Sequence, residues 1–88
     1  MKGQDDIKEE TQQVLENLLS VLSAAGAKAS DIVKTTIYLV DLNDFEKVNS
    51  IYAKTFTGKT TPARACVEVS KLPKGGKVEI DCIAWLVE

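Results

Sequence analysis

The stretch DIVKTTIYLVDLNDFEKVNSIYAKTF, residues 31–56, decides the fold. Its first half is rich in β-branched and aromatic residues and free of glycine and proline, which predicts a strand over Asp31–Leu42. Thr35, Ile37 and Leu39 alternate with Lys34, Thr36, Tyr38 and Val40. Apolar residues on both sides predict a central strand covered on both faces. Asn43 followed three residues later by Glu46 is a capping pattern, and it opens a helix that runs through Phe56. Phe45, Val48, Tyr52 and Phe56 make its apolar stripe, and Asn49 falls inside that stripe rather than opposite it.

Upstream, Asp6 with Glu9 forms a second capping pattern. Ile7, Val14, Leu15, Leu18, Val21, Leu22 and Ala25 then recur at helical spacing, and Gly26 is a natural stop. Downstream, TGKTTP reads as a loop, Ala63–Val69 as a strand, KLPKGGK as a turn and Lys77–Val87 as a last strand. The turn is short enough to predict an antiparallel hairpin of these two strands. The order is αβαββ, an α+β fold with two helices covering a three-stranded sheet. The far end of the last strand is apolar on both sides at Ile83, Ala84, Trp85 and Leu86, which predicts a covering subunit.

Bulk composition narrows the functions. The 88 residues make one small domain, 44% hydrophobic and 27% charged. A net charge of −2 gives no general attraction to nucleic acid or to an anionic membrane. No apolar run is long enough to span a bilayer, and the polar, acidic MKGQDDIKEE start matches neither a signal nor a transit peptide, so the expected compartment is the cytoplasm. The chain has no histidine, which excludes Ser-His-Asp and Cys-His catalysis and argues against a zinc site. Cys66 and Cys82 lack CxxC spacing and read as reduced thiols, with a redox pair as a weaker alternative.

In TTPARACVEV, residues 60–69, Ala63, Ala65, Val67 and Val69 alternate with Arg64, Cys66 and Glu68. The apolar set reads as the core face. Arg64 is then either a solvated charge paired with Glu68 or Glu79, or an anchor that grips a carboxylate through two parallel hydrogen bonds. Cys66 shares its face, as a small apolar residue or a pocket wall. Asn49 is either a buried amide bonding a loop or a ligand contact. Glu79 is either a surface carboxylate or a proton shuttle. A turn centred on Gly75 and Gly76 would set Glu79 beside Leu72, so a bulge or a second subunit would be needed to bring it to Arg64. KLPKGGK lacks the spacing of a phosphate-binding loop.

Taken together, TQQVLENLLSVLSAAG, DIVKTTIYLVDLNDFEKVNSIYAKTF, PARACVEVSKLPKGGKVEID and IAW resemble the reactive-intermediate deaminase (Rid/YjgF) family, also called the endoribonuclease L-PSP family, from Ile7 to Trp85. The resemblance implies a chorismate-mutase-like α+β sheet with both helices on one face, in a single domain over 1–88 that lacks the family's opening strands. It implies hydrolysis of 2-iminobutanoate or 2-iminopropanoate to the 2-keto acid and ammonia, without metal or organic cofactor. Arg64 matches the arginine that binds the substrate carboxylate, and Glu79 the glutamate that orients or activates water. Cys66 and Asn49 match cleft residues. The implied partners are a small 2-imino or 2-keto acid and further copies of the chain, as a homotrimer or, with bare sheet edges, a dimer. A non-catalytic carboxylate binder and a ribonuclease or translation inhibitor are the alternatives.

Overall fold

A computed structural model describes residues 3–56 and 62–86. Five main elements follow in order: α1 (Gly3–Ala24), β1 (Ile32–Leu39), α2 (Phe45–Thr55), β2 (Ala63–Glu68) and β3 (Val78–Ala84). The fold is α+β, with two helices on one face of a mixed three-stranded sheet.

Helix α1 is already running at Gly3, so Asp6 lies inside it and not at its start. Ile7, Thr11, Leu15 and Leu22 are its buried positions. Val21, expected inward, is 68% exposed. Thr11 fits the buried stripe because its hydroxyl donates to the Ile7 carbonyl, 2.6 Å away, and needs no outside partner. The helix ends as the sequence suggests. Gly26 takes φ +85°, the Ala27 N–H reaches the Leu22 carbonyl and the Gly26 N–H the Ser23 carbonyl. That pair of bonds is the Schellman closure, and buried Ala27 and Leu22 complete it.

Before α2, the Asp41 side chain accepts from the Asn43 N–H and caps a 3-10 turn over Leu42–Asp44. Asn43 is therefore inside that turn, and α2 begins two residues later, at Phe45. Val48, Tyr52 and Phe56 are buried as the stripe predicts.

The sheet order is β2-β1-β3. β1 is central, as expected, but β2 and β3 do not form the expected hairpin. β2 runs parallel to β1, joined through the α2 crossover, and β3 pairs antiparallel with β1 on its other edge. The KLPKGGK segment, with its 3-10 turn at Pro73–Gly75, thus connects strands on opposite edges of the sheet. The predicted TGKTTP loop lies, for residues 57–61, outside the described residues.

Register assigns the faces, since paired residues share one side. Thr35, Ile37 and Leu39 of β1 lie level with Arg64, Cys66 and Glu68 of β2 and with Cys82, Ile80 and Val78 of β3. This is the helix face, where Ile37, Leu39, Val78 and Ile80 are buried. A register shift between Ile32 and Lys34 leaves Val33 outside the ladder and returns Ile32 to the helix face. The opposite face carries Lys34, Thr36 and Tyr38 with Ala63, Ala65 and Val67 of β2 and Glu79, Asp81 and Ile83 of β3. No element of the described residues covers it. The apolar set of β2 therefore faces away from the helices, the reverse of the expected core face, and β1 is covered on one face, not two.

Candidate carboxylate-binding cleft

Because Arg64 shares the helix face with Thr35, its side chain meets α2. Nη1 of Arg64 donates to Oδ1 of Asn49. The guanidinium carbon lies 5.3 Å from the Phe45 ring centroid and 5.1 Å from that of Tyr52, within cation–π range. Neither Glu68 nor Glu79 is its partner. Glu68 instead accepts from the Leu42 N–H. Asn49 bonds Arg64 and not a loop, so its place inside the apolar stripe has a polar reason. The two residues, with Tyr52, Ala53, Phe56 and Pro62, line a cleft of about 360 Å³ between α2 and the start of β2.

Below the cleft, the Tyr52 hydroxyl and the Thr35 hydroxyl share a 2.6 Å hydrogen bond, both residues being buried. Sequence reading found the Tyr52 ring but not this bond. The available signal was the parity of Thr35 with Ile37 and Leu39, which puts a hydroxyl at a core position that must find a partner.

Cys66 sits one step along the same face, level with Ile37, half-buried against the core. Burial pushes its thiol above the ordinary value, and nearby Arg64 opposes that rise in part. Cys82 is likewise pushed up, by burial and then by Asp81. β1 lies between the two cysteines. Two strand spacings, about 9.5 Å, separate their strands, and a two-residue offset along β1 adds to that, too far for a disulfide within the chain.

Glu79 is level with Tyr38 on the opposite face of the sheet, so one chain does not bring it to Arg64. Beside it, the Tyr38 hydroxyl donates to Asp81 at 2.9 Å, and that bond, with burial and the charges of Asp81 and Glu79, raises the phenol above its ordinary value. Among the described residues no group of three or more His, Cys, Asp or Glu is placed to hold a metal ion. No helix among them is long and apolar enough to cross a membrane.

A two-helix, three-stranded α+β chain with a guanidinium and an amide at the mouth of a small cleft defines a Rid-type domain. The chain belongs to the Endoribonuclease L-PSP family, which is the Rid/YjgF family, matched over residues 1–86. It is 50% identical over 82 residues to the 2-iminobutanoate/2-iminopropanoate deaminase of Salmonella typhimurium, covering 91% of this chain and 64% of that one. The crystal structure of the Rid family protein YyfA from Yersinia pestis superposes with a TM-score of 0.88 at 50% identity, over 91% of this chain and 64% of that one. Escherichia coli TdcF, solved with bound serine, gives 0.87 at 38% identity, over 92% of this chain and 65% of that one. The chain thus spans less than two thirds of the length of these relatives.

Proposed function

We propose that the chain acts as a 2-iminobutanoate/2-iminopropanoate deaminase in the cytoplasm, hydrolysing reactive enamines and imines to 2-keto acids. The observation that carries this reading is Arg64 held by Asn49 at the mouth of a cleft sized for a small molecule. The name of the Salmonella relative supports it. So does the bound serine of TdcF, a small molecule with a carboxylate.

The chemistry suits this residue set. A protonated imine is already an electrophile, so a held substrate, a placed water and one proton carrier suffice. Arg64 takes the carboxylate and fixes the imine carbon. Water adds to that carbon, and its proton passes to nitrogen. The carbon–nitrogen bond of the resulting carbinolamine then breaks as its hydroxyl loses a proton to the departing nitrogen, releasing ammonium and the keto acid. Asn49 contributes to the wall, whereas Cys66 lies further along the same sheet face, against the core and outside the cleft lining. Glu79, the proposed water-orienting carboxylate, is on the other sheet face. In this proposal it reaches a cleft by association of chains. The uncovered face supports such association: Val67, Ile83 and Trp85 are 42%, 59% and 69% exposed. A homotrimer is the proposed assembly, and light scattering tests it against a dimer.

The decisive assay generates 2-iminopropanoate in situ and follows its loss with and without protein. Arg64→Ala should lower kcat/KM by about 30- to 1000-fold, the loss of a charged double hydrogen bond of roughly 2–4 kcal/mol. Full rate in that variant overturns the role given to Arg64. The separation of Glu79 from Arg64 favours one second reading, a non-catalytic binder of small carboxylates. Binding of 2-ketobutyrate without turnover would support it. The ribonuclease reading fits less well, since phosphate-backbone binding wants a basic face and this chain carries net charge −2.

A further inference from the structure

Arg64 is the sole arginine of the chain, and among the described residues its side chain bonds the Asn49 amide and not a carboxylate. What holds it is one face of α2. Phe45, Asn49 and Tyr52 stand at positions i, i+4 and i+7, on one side of the helix. The guanidinium carbon is 5.3 Å from the Phe45 ring and 5.1 Å from the Tyr52 ring, and its Nη1 bonds Asn49, so all three residues of that helix side meet it. Tyr52 is in turn fixed from beneath. Its hydroxyl meets Thr35, and Thr35 is the β1 residue level with Arg64 in the parallel ladder. Phe56 braces the same ring, with centroids 4.6 Å apart. The ring is thus tied to the backbone position beside the arginine it supports.

We propose that Tyr52 is a positioning residue for anion capture. Pinned through Thr35, its ring holds the Arg64 guanidinium with its N–H edge toward the cleft before any ligand arrives. The proposal rests on the reading of the cleft as a carboxylate site. An unsupported arginine loses rotamer freedom on binding, and one already seated loses less. Asn49 takes one of five N–H donors, and the faces of the two aromatic rings meet the guanidinium carbon. The N–H donors beyond the one on Asn49 suit a planar carboxylate, which takes two of them in parallel.

The sole arginine makes the test direct, because its Nε–H gives a single resonance. In the wild type that resonance should be displaced by the two rings and should move on titration with 2-ketobutyrate. Tyr52→Leu should return it toward the shift of a free arginine side chain. The same variant should weaken 2-ketobutyrate about ten-fold and raise KM for the imine with little change in kcat. The double variant Thr35→Val with Tyr52→Phe removes both hydroxyls together, so Tm should stay near that of the wild type while binding weakens about two- to five-fold. It also carries the test if Tyr52→Leu does not fold. A variant that changes Tm yet keeps the wild-type arginine resonance and affinity overturns the proposal. If the wild type ignores 2-ketobutyrate but its arginine resonance still depends on Tyr52, the cradle stands and the carboxylate reading falls.

Discussion

β2 and β3 flank the same strand, yet they use their helix-facing positions in opposite ways. β3 presents Val78, Ile80 and Cys82 to the helices, and the first two are buried. β2 presents Arg64, Cys66 and Glu68, of which only Cys66 packs against the core. β3 is closed over by α1, whereas the start of β2 is left open beside α2, and the cleft is that opening. One sheet face therefore changes from core to candidate site across about 10 Å, two strand spacings. The buried side chains lie on the β3 side and the proposed ligand chemistry on the β2 side.

Paired substitutions across that divide give the largest expected effect. Ile80→Ala, at a residue 6% exposed, should cost about 2–5 kcal/mol in urea unfolding. Cys66→Ala, at a half-buried position on the same face, should cost about 1 kcal/mol or less. Equal costs would show that β2 is as much a core strand as β3.

The tethers of the two strands offer a second comparison. The Glu10 carboxylate of α1 accepts from the Lys77 N–H at 2.7 Å and the Val78 N–H at 3.1 Å, fixing the helix to the start of β3. On β2, Glu68 accepts once, from the exposed Leu42 N–H at 3.0 Å. Glu10→Ala leaves the part-buried Val78 N–H without its acceptor, while water serves the exposed Lys77 N–H, and should cost about 1–3 kcal/mol. Glu10→Gln keeps an acceptor and should recover part of that. Glu68→Ala should cost about 1 kcal/mol or less, since water replaces the lost acceptor. Chemical denaturation of the three variants ranks them, and a Glu68→Ala loss exceeding that of Glu10→Ala would reverse the proposed division of labour.

The same contrast marks what could be read from the sequence. Element order, the α2 stripe, the central place of β1 and the glycine stop of α1 were all legible, because they follow from local spacing and turn chemistry. Strand order was not. KLPKGGK looks like a hairpin turn when judged by its own residues, while the competing partner, β1, lies far back in the chain. The alternation of Ala63, Ala65 and Val67 announced two faces without saying which one the helices cover. With the faces reversed, Arg64 stays exposed but lies on the α2 side, where Phe45, Asn49 and Tyr52 meet it. Arg64 and Asn49 were legible as candidates singly. Their bond, and the Thr35–Tyr52 bond beneath it, depend on a β1–α2–β2 arrangement that no short window contains.

The smallest effect tests whether the Arg64 charge reaches its neighbour. Burial raises the Cys66 thiol and the Arg64 guanidinium holds that rise back. The folded chain thus binds this proton more tightly than the unfolded one. The resulting stability is present below the ordinary thiol range and fades as pH climbs through the raised native value. At a given pH less thiolate is available, and thiolate is the species that alkylates. In a Cys82→Ala background, iodoacetamide should modify Cys66 more slowly than a free thiol at about pH 8. The rate should continue to climb at pH values where the free thiol has levelled off. Adding Arg64→Ala removes the opposing charge and should slow the reaction further. Faster alkylation in that variant would mean that the guanidinium shields the sulfur sterically, and β2 would then carry its charge for cover and not for its field.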